Sequence, residues 1–147
     1  MYFDWQDRSN YFKGLLLLVG KDYVISKEER SLLKSIGKTL GFENKFIEDS
    51  IANLLENQYI IDEPPEFSNK EIAKIFIKDG IKLAISDKEL HPFELEWLKE
   101  AAKVNHLTTQ WFSAQLESII RSSPLENLDS SLELNNLVNN NSLHGVK

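Results

Sequence analysis

Residues 22–29 read D-Y-V-I-S-K-E-E, and at an offset of 65, residues 87–94 read D-K-E-L-H-P-F-E. Outward from these stretches the same offset places Leu18 on Leu83, Ile25 on Leu90, Leu33 on Leu98, Ile36 on Ala101 and Phe42 on Leu107, with Asp22 on Asp87 and Glu29 on Glu94. Each copy has a helix, a short turn opening on an aspartate, an apolar residue three positions on, a glutamate seven after the aspartate, and a second amphipathic helix. Agreement of acidic and apolar positions at one period marks an internal repeat. It predicts two similar helical hairpins.

The rest of the chain reads as helix, because apolar residues recur at three and four rather than at two. Helix one is expected over about Asp7 to Lys21, burying Phe12, Leu15, Leu16 and Val19. Helix two follows Ser26, carries Leu32, Leu33, Ile36 and Leu40 on one face, and stops at Gly41, which suits the left-handed position beyond a helix end. Helix three, Asn44 to Asn57, buries Phe46 or Ile47 with Ile51, Leu54 and Leu55. Pro64 and Pro65 then force a non-helical stretch, Tyr59 to Phe67, read as a hinge. Helix four begins after Ser68, which stands three before Glu71 in capping-box spacing, and buries Ala73, Phe76, Ile77, Gly80 and Ala84. Helix five opens with Pro92 at its first position and presents Phe93, Trp97, Leu98 and Ala101. Helix six follows Thr108 with Phe112, Leu116, Ile119 and Ile120. The expected organisation is one all-α domain over residues 1–121 with six or seven helices, then a Ser/Asn-rich tail at 122–147. In that tail Leu125 to Val138, using Leu128, Leu132 and Leu134, has the pattern of one loosely packed helix.

Composition bounds the function. A chain of 147 residues that is 41% hydrophobic and 27% charged can build one sizeable core. Seventeen basic against 23 acidic residues give a net charge of −6, which opposes bulk attraction to nucleic acid, so nucleic acid is not an expected partner. The absence of cysteine removes disulfides, thiolate metal sites and cysteine nucleophiles, and fits a reducing, cytoplasmic compartment. The apolar run Leu15–Val19 is bracketed by Lys13 and Lys21 and is too short to cross a bilayer. Asp4 and Asp7 near the start are unlike a secretory signal. No nucleophile-and-base pattern or glycine-rich phosphate loop can be read, so an enzyme is not expected.

The repeated motif resembles D-G-x-[IL]-[SH]-x-x-E of the tellurite-resistance TerB-like family, over roughly residues 11 to 120, with Tyr23 and Lys88 where the family has glycine. The resemblance implies an all-helical TerB-like bundle. It also implies a non-catalytic cytoplasmic module linked to metal or tellurite stress, with Asp22, Glu29, Asp87 and Glu94 as its acidic positions. Its partner would be another protein, a membrane protein included. The residues themselves admit two readings. Ser26 and Glu29 have capping-box spacing, and Asp22 and Asp87 can order their own turns, which makes the motif structural. Alternatively the two hairpins bring the four carboxylates together as a hard-oxygen site for calcium, magnesium or manganese, or as an acidic face for a basic partner. The EF-hand spacing is missing, so any such site must be assembled between the repeats. In the competing class no ion is bound, and an apolar groove or the N-terminal aromatics around Trp5 dock another protein. His91 beside the motif reads as a cap residue or a ligand, and Lys70, Lys74, Lys78 and Lys82 form a basic ridge along helix four, read as a solvated face.

Overall fold

The computed structural model describes residues 3–20, 25–56, 63–85, 91–122 and 132–135. They form six helices, with no strand among the described residues: α1 Trp5–Val19, α2 Lys27–Thr39, α3 Asn44–Glu56, α4 Lys70–Ala84, α5 Pro92–Val104 and α6 Thr109–Ser122. A short helical turn lies further on, at 133–135. The first three helices, displaced by 65 residues, coincide with the next three at every described end except that α6 runs one residue further.

The local chemistry repeats at the same offset. Asp4 caps α1 by accepting the Asp7 N–H at 2.8 Å, and Asn69 caps α4 by accepting the Ile72 N–H at 2.9 Å. In both cases the side-chain oxygen satisfies one of the N–H groups a helix start leaves without an intrahelical acceptor. The expected partnership of Ser68 with Glu71 is not formed, because the helix begins one residue later and Ser68 is drawn instead to Asp7 on α1.

At their C-termini α2 and α5 end in the same double hydrogen bond. Phe42 N–H reaches Gly37 O at 3.0 Å and Gly41 N–H reaches Lys38 O at 3.0 Å. At the matching positions Leu107 N–H reaches Ala102 O at 2.9 Å and His106 N–H reaches Lys103 O at 3.0 Å. This is the Schellman closure, which requires a left-handed residue. Gly41 supplies it with φ +96°, and His106 with φ +64°.

α1 and α4 lie at the centre. α1 packs on α2, α3, α4 and α5, and α4 packs on α1, α2, α5 and α6. Exchanging the first three helices for the last three maps these principal pairings, together with α2 on α3 and α5 on α6, onto themselves. Both central helices are apolar over most of their circumference, as burial from several sides requires. Leu15, Leu18, Phe76, Ile77, Ile81 and Leu83 are sealed from solvent. Close approach depends on missing Cβ atoms. A Cβ on Gly14 would lie 2.6 Å from the Phe76 ring, and one on Gly80 would lie 2.6 Å from Leu98 Cδ2.

Several sequence expectations resolve at the edges of the apolar stripes. Ile47 takes the core position on α3, and Phe46 is turned outward and 50% exposed. Ile120, expected inside with Ile119, is exposed, because adjacent helical residues are about 100° apart and Phe112 with Ile119 already spans the covered face. Phe93, in the first turn of α5, is likewise exposed and stacks on His91. The described part of the proline stretch is pinned rather than free to hinge. Asn105 accepts the Phe67 N–H at 2.9 Å and donates to Pro65 O at 2.9 Å, while Asp7 takes the Ser68 N–H at 3.0 Å. Tail residues 132–135 are also seated, with Leu132 and Leu134 buried in the core.

Leu98→Ala should cost about 2 to 5 kcal/mol in urea unfolding, the usual penalty for emptying a packed leucine site. Gly80→Ala should also destabilise, because its new methyl group meets Leu98. In the Leu98→Ala background that second cost should largely vanish. Strict additivity in the double-mutant cycle would contradict the contact.

Candidate functional site

Of the four carboxylates in the repeated motif, Glu29 and Glu94 are described, and Asp22 and Asp87 lie outside the described residues. Glu29 completes a reciprocal capping box: its N–H donates to Ser26 Oγ at 3.0 Å and its Oε1 accepts the Ser26 N–H at 2.9 Å. Glu94 holds the same third position of α5, where its N–H reaches His91 O at 3.1 Å and Pro92 fills the first helical position. His91 is the N-cap residue but makes no side-chain capping bond.

Both glutamates are buried, at 4% and 2% exposure. These two therefore stand inside the fold rather than on its surface. A carboxylate in the first turn is favoured there by the helix N–H groups, which accounts for the glutamate recurring at this position. Among the described residues no three His, Asp or Glu side chains are grouped to hold a metal ion. On the basic ridge Lys70 is exposed and Lys74, Lys78 and Lys82 are half-buried, with Lys74 3.5 Å from Glu71.

A second candidate is aromatic. Trp5, 60% exposed, packs on Phe42 at 5.6 Å between ring centroids, and Phe42 packs on exposed Phe46 at 5.0 Å. Phe12, beneath them in the core, contacts both Phe42 and Phe46. The row joins the start of α1, the turn after α2 and the first turn of α3. Arg8 holds Trp5 in place: its guanidinium lies 5.5 Å from the Trp5 ring and 5.2 Å from the Phe3 ring, with Nε donating to Phe3 O and Nη1 to Leu40 O, each at 3.0 Å. The Leu40 bond places a cation at the C-terminus of α2, where helix carbonyls favour it. Gly41 lies against the Trp5 ring edge. Trp5 is thus both exposed and fixed. An aromatic ring already ordered before binding loses little freedom on association, and such rings are enriched among the residues that dominate interface energies.

The third feature was not singled out in the sequence. Asp79 on α4 is completely buried, and its carboxylate accepts the Tyr11 O–H at 2.6 Å, the Glu133 N–H at 2.7 Å and the Leu134 N–H at 2.9 Å. Burial pushes its pKa from 3.8 up to about 6, opposed by those hydrogen bonds and by Lys82. Burial, followed by the Asp79 charge, holds the Tyr11 hydroxyl well above its ordinary value. The signal was legible: Asp79 falls between Phe76 and Leu83 on the apolar stripe of α4, and a carboxylate there must find partners. No protein-family model, curated protein or solved structure matches the chain.

The Asp79 pKa fixes a pH dependence. A folded value raised above the unfolded one means the native state binds the proton more tightly, so this contribution to stability is present below about pH 4 and lost as pH rises through about 6. Wild type should lose up to about 3 kcal/mol relative to Asp79→Asn between pH 4 and 7, at about 1.36 kcal/mol per pKa unit. Thermal unfolding of both proteins across that range at constant ionic strength measures it. Parallel pH profiles would show that Asp79 does not titrate in this window.

Proposed function

We propose that this chain is a non-catalytic protein-binding module of TerB-like, two-unit architecture, and that it docks an apolar segment of another protein on the row Trp5–Phe42–Phe46. The observation that carries the reading is the combination of exposure and fixation at Trp5. Two large rings, Trp5 and Phe46, are more than half or half exposed, yet each packs at a tilt on Phe42, and Arg8 clamps the first of them. Such a surface presents a ready apolar anchor at small ordering cost. Repetition of helix bounds, caps and Schellman closures at an offset of 65 supports the two-unit architecture. In this reading the motif glutamates build the helix starts, and the row is the site of contact.

One observation favours a second reading, in which the motif binds a divalent cation. Two buried glutamates occur at equivalent positions of the two units, each standing seven residues after a motif aspartate. Calcium, magnesium or manganese would suit an all-oxygen set completed by Asp22 and Asp87. The two readings separate by experiment.

For the docking surface, a photo-crosslinking amino acid is placed at Trp5, at Phe46 and, as a control, at exposed Lys99. Adducts to one common protein are expected from the first two positions and not from the third. With that partner purified, Trp5→Ala should weaken binding by about 2 kcal/mol, roughly 30-fold, as hot-spot truncations do. An unchanged affinity would exclude the row.

For the cation, wild type and Asp22→Ala/Asp87→Ala are melted with chelator and with about 10 mM calcium, magnesium or manganese. A bound ion at a hundred times its dissociation constant adds about 2.7 kcal/mol to wild type alone. Equal shifts in the two proteins would remove the ion from the account.

A further inference from the structure

Residues 132–135 meet the core in a way that parallels the return of the chain in the first unit. There, Ser68 gives its N–H to the buried Asp7 carboxylate on α1 at 3.0 Å. At the same offset of 65, Glu133 gives its N–H to the buried Asp79 carboxylate on α4 at 2.7 Å, and Leu134 adds a second bond at 2.9 Å. In each unit, then, the chain beyond the third helix comes back across the first helix of a unit and is held by an aspartate. Asn69 caps α4 and commits the first to a long helix; of the second, the described residues are Leu132–Asn135, separated from the end of α6 by nine residues.

The acid that holds the second return segment has no counterpart at the matching position of α1. The position matching Asp79 in the first unit is Gly14, where α1 simply lets Phe76 approach. Asp79 is wholly buried, and a buried carboxylate is costly unless donors surround it. Of these three donors, only the Tyr11 hydroxyl comes from the six helices; the other two are consecutive backbone N–H groups of the tail. What the core recognises is therefore generic in one respect and specific in another. It reads two successive N–H groups at the start of a helical turn, and a leucine on either side of Glu133, with Leu132 and Leu134 at 3% and 0% exposure. The Glu133 side chain itself is only half-covered.

We propose that Asp79, with Tyr11 beside it, anchors a peptide-binding site for a Leu-x-Leu turn, filled here by the chain's own Leu132–Leu134 and able to accept the same turn from a second copy of the chain. The second copy carries the one turn whose fit is displayed in the structure. The nine residues 123–131 that link it to α6 can span at most about 30 Å, at about 3.3 to 3.6 Å per residue, which is enough to reach a neighbouring molecule. In a single molecule the tethered turn competes at an effective concentration in the millimolar range, so exchange is seen when the tethered copy is weakened. The site does not rest on the aromatic row and stands or falls separately from it.

The experiment uses full-length chains. Glu133→Pro removes the N–H that bonds Asp79 Oδ1 and lies outside the six helices, so it weakens the tail and leaves the site. A fluorescent peptide of residues 126–140 should bind this variant saturably by anisotropy, and wild type at least about tenfold more weakly. Binding should be lost when the peptide carries proline at position 133, or when Asp79→Asn is added to the chain. If circular dichroism shows the proline variant unfolded, Leu134→Ala replaces it. A complementation arm then tests the second copy as the source. The Asp79→Asn chain (intact tail, weakened site) and the Glu133→Pro chain (intact site, weakened tail) should each sediment as a monomer and together form a dimer. Equal peptide binding to wild type and variant, tolerance of the proline peptide, no binding to either variant, or a mixture that stays monomeric would each overturn the proposal.

Discussion

The crossing of α1 and α4 is the contact on which the rest of the structure depends. Gly14 leaves no Cβ between the α1 backbone and the Phe76 ring, and the two helices meet along faces that are sealed from water. Because each is apolar on more than one side, neither can end its burial at a single partner. α2 and α3 cover α1, α5 and α6 cover α4, and the cross-contacts of α1 with α5 and of α2 with α4 close the remaining sides. Tyr11 links the pair again through polar chemistry, reaching across from α1 to the carboxylate of Asp79 on α4. Aromatic edges of Phe3, Phe67 and Phe76 surround the same tyrosine, so the hydroxyl and the ring are each held by groups suited to them.

Buried polar groups then decide where the chain connections run. Asp7 and Asn105 fix residues 65–68, which lead into α4, and Asp79 fixes residues 133–134 beyond α6. A buried acceptor left without donors is penalised by more than a typical hydrogen bond contributes, so each of these side chains enforces one path for the backbone that satisfies it. This is a different role from that of the leucines and isoleucines, which reward burial without specifying direction. The two kinds of interaction divide the work of the fold: apolar area holds the six helices together, and three polar side chains hold residues 65–68 and 133–134 against them.

The same distinction bears on function. Carboxylates that the sequence makes prominent, Glu29 and Glu94, lie inside in the first turns of α2 and α5, with Glu29 completing a capping box, while an exposed aromatic row is formed by Trp5, Phe42 and Phe46. Arg8 connects the two levels. Its guanidinium closes the end of α2 at Leu40 and, by lying against Trp5, gives an exposed ring a fixed orientation. A side chain used to finish a helix thereby also shapes the surface proposed for docking. No helix of the described residues is long and apolar enough to cross a membrane.

What the sequence alone determined is local. The period of apolar residues, Ser26 three before Glu29, Pro92 at a first helical position and Gly41 at a helix end each depend on neighbours within one or two turns, so the helices and the repeat could be read directly. Even Gly41 and His106, different residues with the same left-handed backbone, fall on one another at the offset of 65. Only the tertiary structure decided that Ser68 binds Asp7 rather than Glu71, that Ile47 rather than Phe46 enters the core, and that Leu132 and Leu134 are seated on α4. In each case the local pattern admits both choices. For the polar contacts the outcome is set by a group distant in sequence, Asp7 at 61 positions from Ser68 or Asp79 at 54 from Glu133, whose need for a partner arises only once packing has removed it from water.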